Sequence, residues 1–335
     1  MDGRGDVMRY LVTGGAGFVG SHAVLALLDA GHQVCVLDDL STGHREAVPA
    51  AADFVQCDLA DAAATEAAVG RGRWDGVLHF AALSLVGDSM RDPFHYLRRN
   101  YITALNLVEA SVRAGVKKIV FSSTAALFGG EDREPPIPET ALIDPGSPYG
   151  ESKFFIERVL HWADQVYGVR SACLRYFNAA GADPQGRAGE DHRPETHLIP
   201  LTIDAALGRR PGLKLFGRDY PTRDGSCIRD YVHVTDLADA HVRALDMLDD
   251  RSVVYNIGNG LGYSNLEVVQ SVERVSGRKV PWEWAERRAG DPAVLVADST
   301  TLREQTGWTP RYAELDRIVE TALRWREAHP QGYGA

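Results

Sequence analysis

Apolar positions along the chain fall into two patterns that take turns. Short, unbroken apolar runs occupy residues 10–13, 34–37, 54–56, 77–80, 119–121 and 172–174. They do not alternate with polar residues, which is the mark of strands buried on both faces. Between them lie longer stretches with apolar residues three and four apart, such as Val19, Ala23, Leu27 and Leu28, ended by Gly31. That spacing predicts helices. Strands and helices in regular alternation predict an α/β fold, a Rossmann-type doubly wound parallel sheet. A helix at 234–248 and a strand at 253–257 read as a return to that sheet.

After Asn178 the pattern changes. Residues 179–197 are polar and rich in Gly, Pro, Asp and His, a long loop that points to a site rather than a linker. The stretches 179–233 and 258–335 hold short strands, two or three helices and several turn clusters. They predict a smaller, discontinuous α/β domain over the carboxyl ends of the strands. The expected division is 1–178 plus 234–257 against 179–233 plus 258–335.

Composition narrows the class. The chain has 335 residues, 44% hydrophobic and 24% charged, the profile of a soluble globular protein of one large or two modest domains. Its apolar stretches fall far short of the roughly 20 residues that cross a bilayer. The start, Met1-Asp2-Gly3-Arg4-Gly5-Asp6, has no apolar signal core, so a cytoplasmic protein without membrane contact is expected. Forty-six acids against 36 bases leave a net charge of −10. With no dense Lys/Arg run, nucleic acid is not an expected partner, although a few arginines in a cleft suit an anionic small molecule. Cys35, Cys57, Cys173 and Cys227 lie far apart with no C-x-x-C pair. Buried reduced thiols, and no bound metal, are the expectation.

Chemistry enters at Gly14-Gly15-Ala16-Gly17-Phe18-Val19-Gly20, directly between the first strand and its helix. Gly14 suits a tight turn, Gly17 lets a pyrophosphate approach the backbone, and Gly20 lets helix and strand pack closely. Strand two ends in Asp38-Asp39, where a carboxylate can hold ribose hydroxyls and repel a 2′-phosphate. The cofactor read from this pattern is NAD. Asp58 ends strand three, where it could hold the adenine amino group or merely cap the next helix. Phe80-Ala81-Ala82 ends strand four with small residues that leave room for a dinucleotide.

Tyr149 and Lys153 lie four apart, on one face of the helix that follows a proline-rich turn. A phenol with an ordinary pKa near 10 is a poor base, but a neighbouring ammonium favours the phenolate. Thr124, in Phe121-Ser122-Ser123-Thr124, supplies a hydroxyl to share the substrate's proton. Alone, such a Tyr/Lys pair is usually an exposed helix face. Together with the glycine loop and the Ser/Thr strand end, it reads as catalytic.

These pieces resemble the extended short-chain dehydrogenase/reductases and, within them, the UDP-glucose (UDP-galactose) 4-epimerase family. The resemblance runs from about Arg9 to Tyr333. Its narrower segments are Leu174-Arg175-Tyr176-Phe177-Asn178, Asp219-Tyr220-Pro221-Thr222, Arg229-Asp230-Tyr231-Val232-His233-Val234 and His329-Pro330-Gln331-Gly332-Tyr333. It implies that Tyr149 takes the proton of the sugar 4-hydroxyl while C4 passes a hydride to NAD. The 4-ketose then turns over, and the hydride returns to its other face, so net redox change is zero. Further cofactor contacts are implied for Phe18, Val19, Thr42, Gly43, Leu59, Ser84 and Ser122, with Asn100 and Phe177 at the nicotinamide end. UDP-sugar contacts are implied for Asn178, His197, Leu198, Phe216, Arg229, Arg288 and Asp291. A homodimer is implied through helices at 96–114 and 149–167.

Several positions depart from the family pattern. Ser84 stands where many relatives carry a lysine, and Thr196-His197 replaces an asparagine pair. Leu295 faces the sugar's 2-substituent where many hexose-restricted relatives have tyrosine, which implies weaker, added activity on a UDP-N-acetylhexosamine. Competing readings fare worse. A 4,6-dehydratase needs acids beside Thr124, whose neighbours are Ala125 and Ala126. A sugar-acid enzyme needs an added cation for the carboxylate. A non-catalytic dinucleotide sensor has no use for the Tyr/Lys pair. An epimerase of another nucleotide sugar stays open, since the motifs do not fix the hexose.

Overall fold

In a computed structural model, which describes residues 6–129, 134–288 and 291–334, the six apolar runs form strands. They are β1 (Arg9–Thr13), β2 (Gln33–Asp38), β3 (Asp53–Gln56), β4 (Gly76–His79), β5 (Lys118–Thr124) and β6 (Arg170–Tyr176). The expected strand at Val253–Ile257 joins them in a seven-stranded sheet, ordered Val253–Ile257, β6, β5, β4, β1, β2, β3. The pairings from β3 across to β5 are parallel. The strand order reverses beside β1, whose neighbours are β2 and β4. That reversal is the topological switch point, and ligands of open α/β sheets bind beyond the strand ends there. The opening Met1-Asp2-Gly3-Arg4-Gly5, which carried part of the reading on a leader, lies outside the described residues. Among the described residues no helix is long and apolar enough to cross a membrane.

The chain divides into two compact units. The first runs to Ser123 and includes Ser147–Leu174 and Ala238–Val254; the second is Thr124–Gly146, Arg175–Leu237 and the chain from Tyr255 on. The expected boundaries kept 124–146 with the first unit, whereas this segment clusters with the second. Its Phe128 bridges to Asp144 and its Ile137 pairs with Ala297, long-range contacts that no local periodicity announces.

In the first unit, Leu11, Leu37, Val77, Ile119 and Phe121 of the sheet pack on Leu107 and Val108 of helix Pro93–Arg113 and on Ile156 and Leu160 of helix Pro148–Tyr167. The second helix is well delimited. Ser147 caps its start by accepting from Gly150 N at 3.1 Å, Pro148 opens it, and Gly168 ends it in the left-handed region at φ 63°.

The second unit is built from helices Leu198–Ala206, Asn265–Ser276 and Leu315–Ala328. Ile199, Ile203, Val268, Val272, Ile318 and Val319 form their shared core. Short strands stitch its edges: Ile228–Arg229 lies between Tyr263–Ser264 and Val294–Leu295, and Asn178–Ala180 runs parallel to Tyr231–His233. Between Ala180 and Leu198 there is no helix or strand, as the polar composition predicted.

Candidate active site

The loop after β1 has the geometry its glycines predict. Gly14 has φ +72°, and a Cβ there would stand 2.5 Å from Ala81 N. A Cβ on Gly20 would stand 2.1 Å from the Gly14 carbonyl oxygen. Gly17 differs, with an ordinary φ of −84° and only Gly14 O, at 3.4 Å, near its imagined Cβ. The local backbone therefore does not demand glycine at 17. Gly17 also begins helix Phe18–Asp29 without any side chain to cap it, so Phe18 and Val19 sit in a first turn suited to an anion. Phe80 N and Ala81 N both donate to Thr13 O, which holds the end of β4 against the glycine loop. Gly43 lies against Ala16, and His44 N donates to Ala16 O at 2.9 Å, placing the Thr42 turn there too. This cradle fits the two phosphates of a dinucleotide.

The adjacent acids Asp38 and Asp39 have different fates. Asp38 is buried and accepts from Ala16 N at 3.0 Å and Leu40 N at 2.9 Å. Burial, and then the neighbouring charge of Asp39, push its carboxyl up, against the two backbone N–H groups that pull it down. Leu40 pays for this turn with φ +61°, a strained conformation for a leucine. Asp39 faces outward and pairs with Arg99 at 2.8 Å. Asp58 also pairs with Arg99, at 2.8 and 2.9 Å, and accepts from Ala60 N at 2.8 Å. Arg99 was not legible as part of this group, because it lies 60 and 41 residues from its partners. Leu59 is buried beside it in sequence, its carbonyl taking Asn106 Nδ2 at 2.8 Å. Ser84 is exposed.

Tyr149 and Lys153 are buried in the first turns of their helix. Lys153 Nζ donates to the Ser122 carbonyl at 2.9 Å, and lies 5.8 Å from the centre of the Tyr149 ring and 4.9 Å from that of Phe121. Burial brings its ammonium down from 10.5 to about 7. Its proton is therefore held far less tightly than that of an exposed lysine. His79 is hydrogen-bonded to Thr13 Oγ1 at 2.8 Å and stacks on Phe121. Burial first, and Lys153 second, drive it down to about 3, so it is neutral.

Asn100, expected at the nicotinamide end, sits in a buried hydrogen-bond network. It is fully buried, accepts from Leu83 N at 2.9 Å, and donates to Leu83 O at 3.1 Å and Ser152 Oγ at 2.9 Å. Ser152 in turn donates to Tyr149 O at 2.7 Å. Asn100 thus ties Leu83 to the turn that carries Tyr149, and its Oδ1 keeps a second lone pair beyond the bond from Leu83 N.

In the second unit, Thr124 closes β5 and its Oγ1 accepts from Ala126 N at 3.1 Å, which leaves its O–H to donate. Phe177 and Leu295 pack on one small cluster with Ala125, Phe128 and Ile137. Leu295 is paired in register with Arg229. The Arg229 guanidinium forms a close salt bridge with Asp291, and Arg288 lies 4.1 Å above the Phe216 ring. Asn178 Nδ2 donates to Asp230 O at 2.9 Å. Leu198 opens the helix that His197 precedes.

The narrow motifs turn out to hold the fold. Asp230 accepts from the backbone of Asn259, Gly260 and Ala297 at 2.8–3.1 Å. His233 bonds Thr235 and Thr321 at 2.8 and 2.9 Å. Tyr333 of the tail accepts from Gly189 N at 2.9 Å, donates to Gly189 O at 3.1 Å, and gives its N–H to Asp191 at 3.0 Å. Sequence reasoning missed what this clasp surrounds, since it looked for metal ligands among cysteines. Glu190, His192, Glu195 and His197 converge, one donor atom of each lying within 4.8 Å of the others. The signal was the alternation of His and Glu at 190–197.

The model of the NAD dependent epimerase/dehydratase family matches residues 10–258. A UDP-glucose 4-epimerase of Lacticaseibacillus casei is 49% identical over 98% of this chain and 99% of its own length. A crystal structure of a UDP-glucose 4-epimerase superposes with a TM-score of 0.95 at 47% identity, covering 98% of this chain and 100% of that one. The Brucella ovis UDP-glucose 4-epimerase, solved in complex with NAD, gives 0.91 at 43% identity over 95% of this chain and 98% of its own.

Proposed function

The chain belongs to the NAD dependent epimerase/dehydratase family, and from that premise we propose that it interconverts UDP-glucose and UDP-galactose by NAD-dependent epimerisation at C4. The buried Tyr149–Lys153 pair, tied to the Ser122 carbonyl, is the observation that carries this reading. When bound, NAD supplies the acceptor that takes hydrogen with its electron pair from C4 and gives it back. Tyr149 removes the proton of the 4-hydroxyl and later returns it. Lys153, poised near neutrality, takes up positive charge as the phenolate forms. Thr124 donates its free O–H toward the same sugar oxygen. Arg229 and Arg288 serve the diphosphate, where a planar guanidinium engages two oxygens at once, and Phe216 offers a face to the uracil.

The test is product analysis by NMR of purified protein with UDP-glucose and no added reductant. UDP-galactose is the expected product. Strict dependence on added NADPH, with its stoichiometric oxidation, overturns the reading.

The second part of the reading concerns Leu295. Its side chain is shorter than a tyrosine, which supports room for a 2-acetamido group and slower turnover of a UDP-N-acetylhexosamine. Leu295→Tyr should lower hexosamine activity relative to glucose activity, and an unchanged ratio removes Leu295 as the gate. A homodimer is supported by apolar side chains left exposed on two adjoining helices, Phe94, Ile102 and Leu105 on one and Trp162 and Val166 on the other. Sedimentation at assay concentration tests it. A cytoplasmic setting is supported by four cysteines that are all buried.

A further inference from the structure

We propose that Glu190, His192, Glu195 and His197 form a divalent-metal site whose ion is Zn²⁺, clamping the loop that leads into helix Leu198–Ala206. The argument starts from distances. A tetrahedral ion with bonds of about 2.1 Å needs donor atoms separated by about 3.4 Å. Here Glu190 Oε1 and His192 Nδ1 are 3.2 Å apart, Glu195 Oε1 and His192 Nδ1 3.6 Å, and Glu195 Oε1 and His197 Nδ1 3.9 Å. His197 Nδ1 and Glu190 Oε1 are in closer contact still. Small rotations of these side chains bring four donors onto one ion.

The donor set suits the metal. Imidazole nitrogen and carboxylate oxygen are both Zn²⁺ ligands, and the two imidazoles turn the set away from Mg²⁺ and Ca²⁺. Two buried acids need positive charge, and both Glu190 and Glu195 are at least nine-tenths buried. Glu195 Oε2 has no hydrogen-bond partner and meets only the more distant Arg326, at 3.8 Å. Arg326 is itself engaged by Asp204 at 2.9 Å. Both imidazoles face these carboxylates directly, through His192 Nδ1 and His197 Nδ1. Zn²⁺ binds the neutral imidazole nitrogens, so any proton they carry passes to solvent.

The site is also preorganised and reachable. Tyr333 grips Gly189 and Asp191, the residues on either side of Glu190, and a Cβ on Gly189 would stand 2.2 Å from the Trp325 ring. Asp183 fixes the near end of the loop through Gln185 N and Arg187 N, both at 3.1 Å. The histidines form the open side, with the His197 side chain 52% exposed. All four ligands fall within eight residues, so the ion would staple a segment that has no helix or strand of its own.

The test uses the untagged full-length protein, stripped with a chelator and then exposed to Zn²⁺ before gel filtration. Elemental analysis should find one equivalent of zinc retained, with protons released on binding and a raised melting temperature. The His192→Gln/His197→Gln variant, which keeps polar side chains of similar reach, should retain none and show no zinc-dependent shift. Because the chain has 11 histidines, retention by that variant equal to wild type means adventitious binding and overturns the proposal. So does wild-type protein that emerges without zinc, whether or not the variant folds.

Discussion

The glycine loop at 14–20 has few side chains to arrange, and the loop at 181–197 is shaped mainly by side chains. In the first, Gly14 and Gly20 fit only because they lack a Cβ, and the backbone itself forms the cradle. In the second, Asp183 folds the near end, Tyr333 grips the middle, and Glu190 gathers two histidines. A backbone-built site is written in adjacent residues, because glycine is required where the chain must turn or approach closely. A side-chain-built site is written in residues far apart, such as Gly189 and Tyr333, 144 positions from each other. The comparison teaches where each loop is fragile. The first should fail at single glycines, and the second should yield gradually as its ties are cut.

The largest expected effect lies beside the backbone-built site. Tyr149→Phe should lower turnover about 10²–10⁴-fold while NAD stays bound. Steady-state rates and the nucleotide content of the purified variant check both halves, and unchanged turnover would remove Tyr149 from the chemistry.

Gly20→Ala comes next. Its Cβ would collide with the Gly14 carbonyl, a backbone atom that cannot swing away, so a loss of about 2–4 kcal/mol with weakened NAD retention is expected. Denaturant unfolding measures it. A near-neutral result would show that this loop is as adaptable as the other one.

Lys153→Met separates stability from activity. The folded-state pKa, about 7, lies below the ordinary 10.5. Between those values the unfolded chain holds a proton that the folded chain has lost, so stability rises with pH across that window. Below it, the full cost of burying the ammonium is present. The methionine variant should therefore melt higher than wild type at pH 6, lose that advantage toward pH 10, and turn over poorly throughout. Parallel melting curves at every pH would contradict the burial argument.

Tyr333→Phe is the smallest change. It removes a hydroxyl that both accepts from and donates to Gly189, and about 1–2 kcal/mol of stability should go with it. Proteolysis within 183–197 should speed up while the glycine loop is untouched. Equal protection in both proteins would mean that Trp325 and Asp191 hold the loop without the tyrosine.

Much of the molecule was determined by its sequence. Apolar runs located the strands and helical spacing the helix at 18–29, because burial on one or both faces imposes a period that local residues must satisfy. The glycine loop was legible for the same reason: its requirements are met within seven consecutive residues. Tertiary structure decided the rest, wherever a charge depends on what surrounds it. Arg99 joins Asp39 and Asp58 across the fold, and Asn100 turns inward to steady the Tyr149 turn. Burial alone brings Lys153 close to neutrality. The family motifs at 229–234 and 329–333 were visible as letters, yet only the fold revealed them as ties. Distance along the chain carries no information about dielectric environment or about which distant group completes a hydrogen bond, and those two quantities set the chemistry of this site.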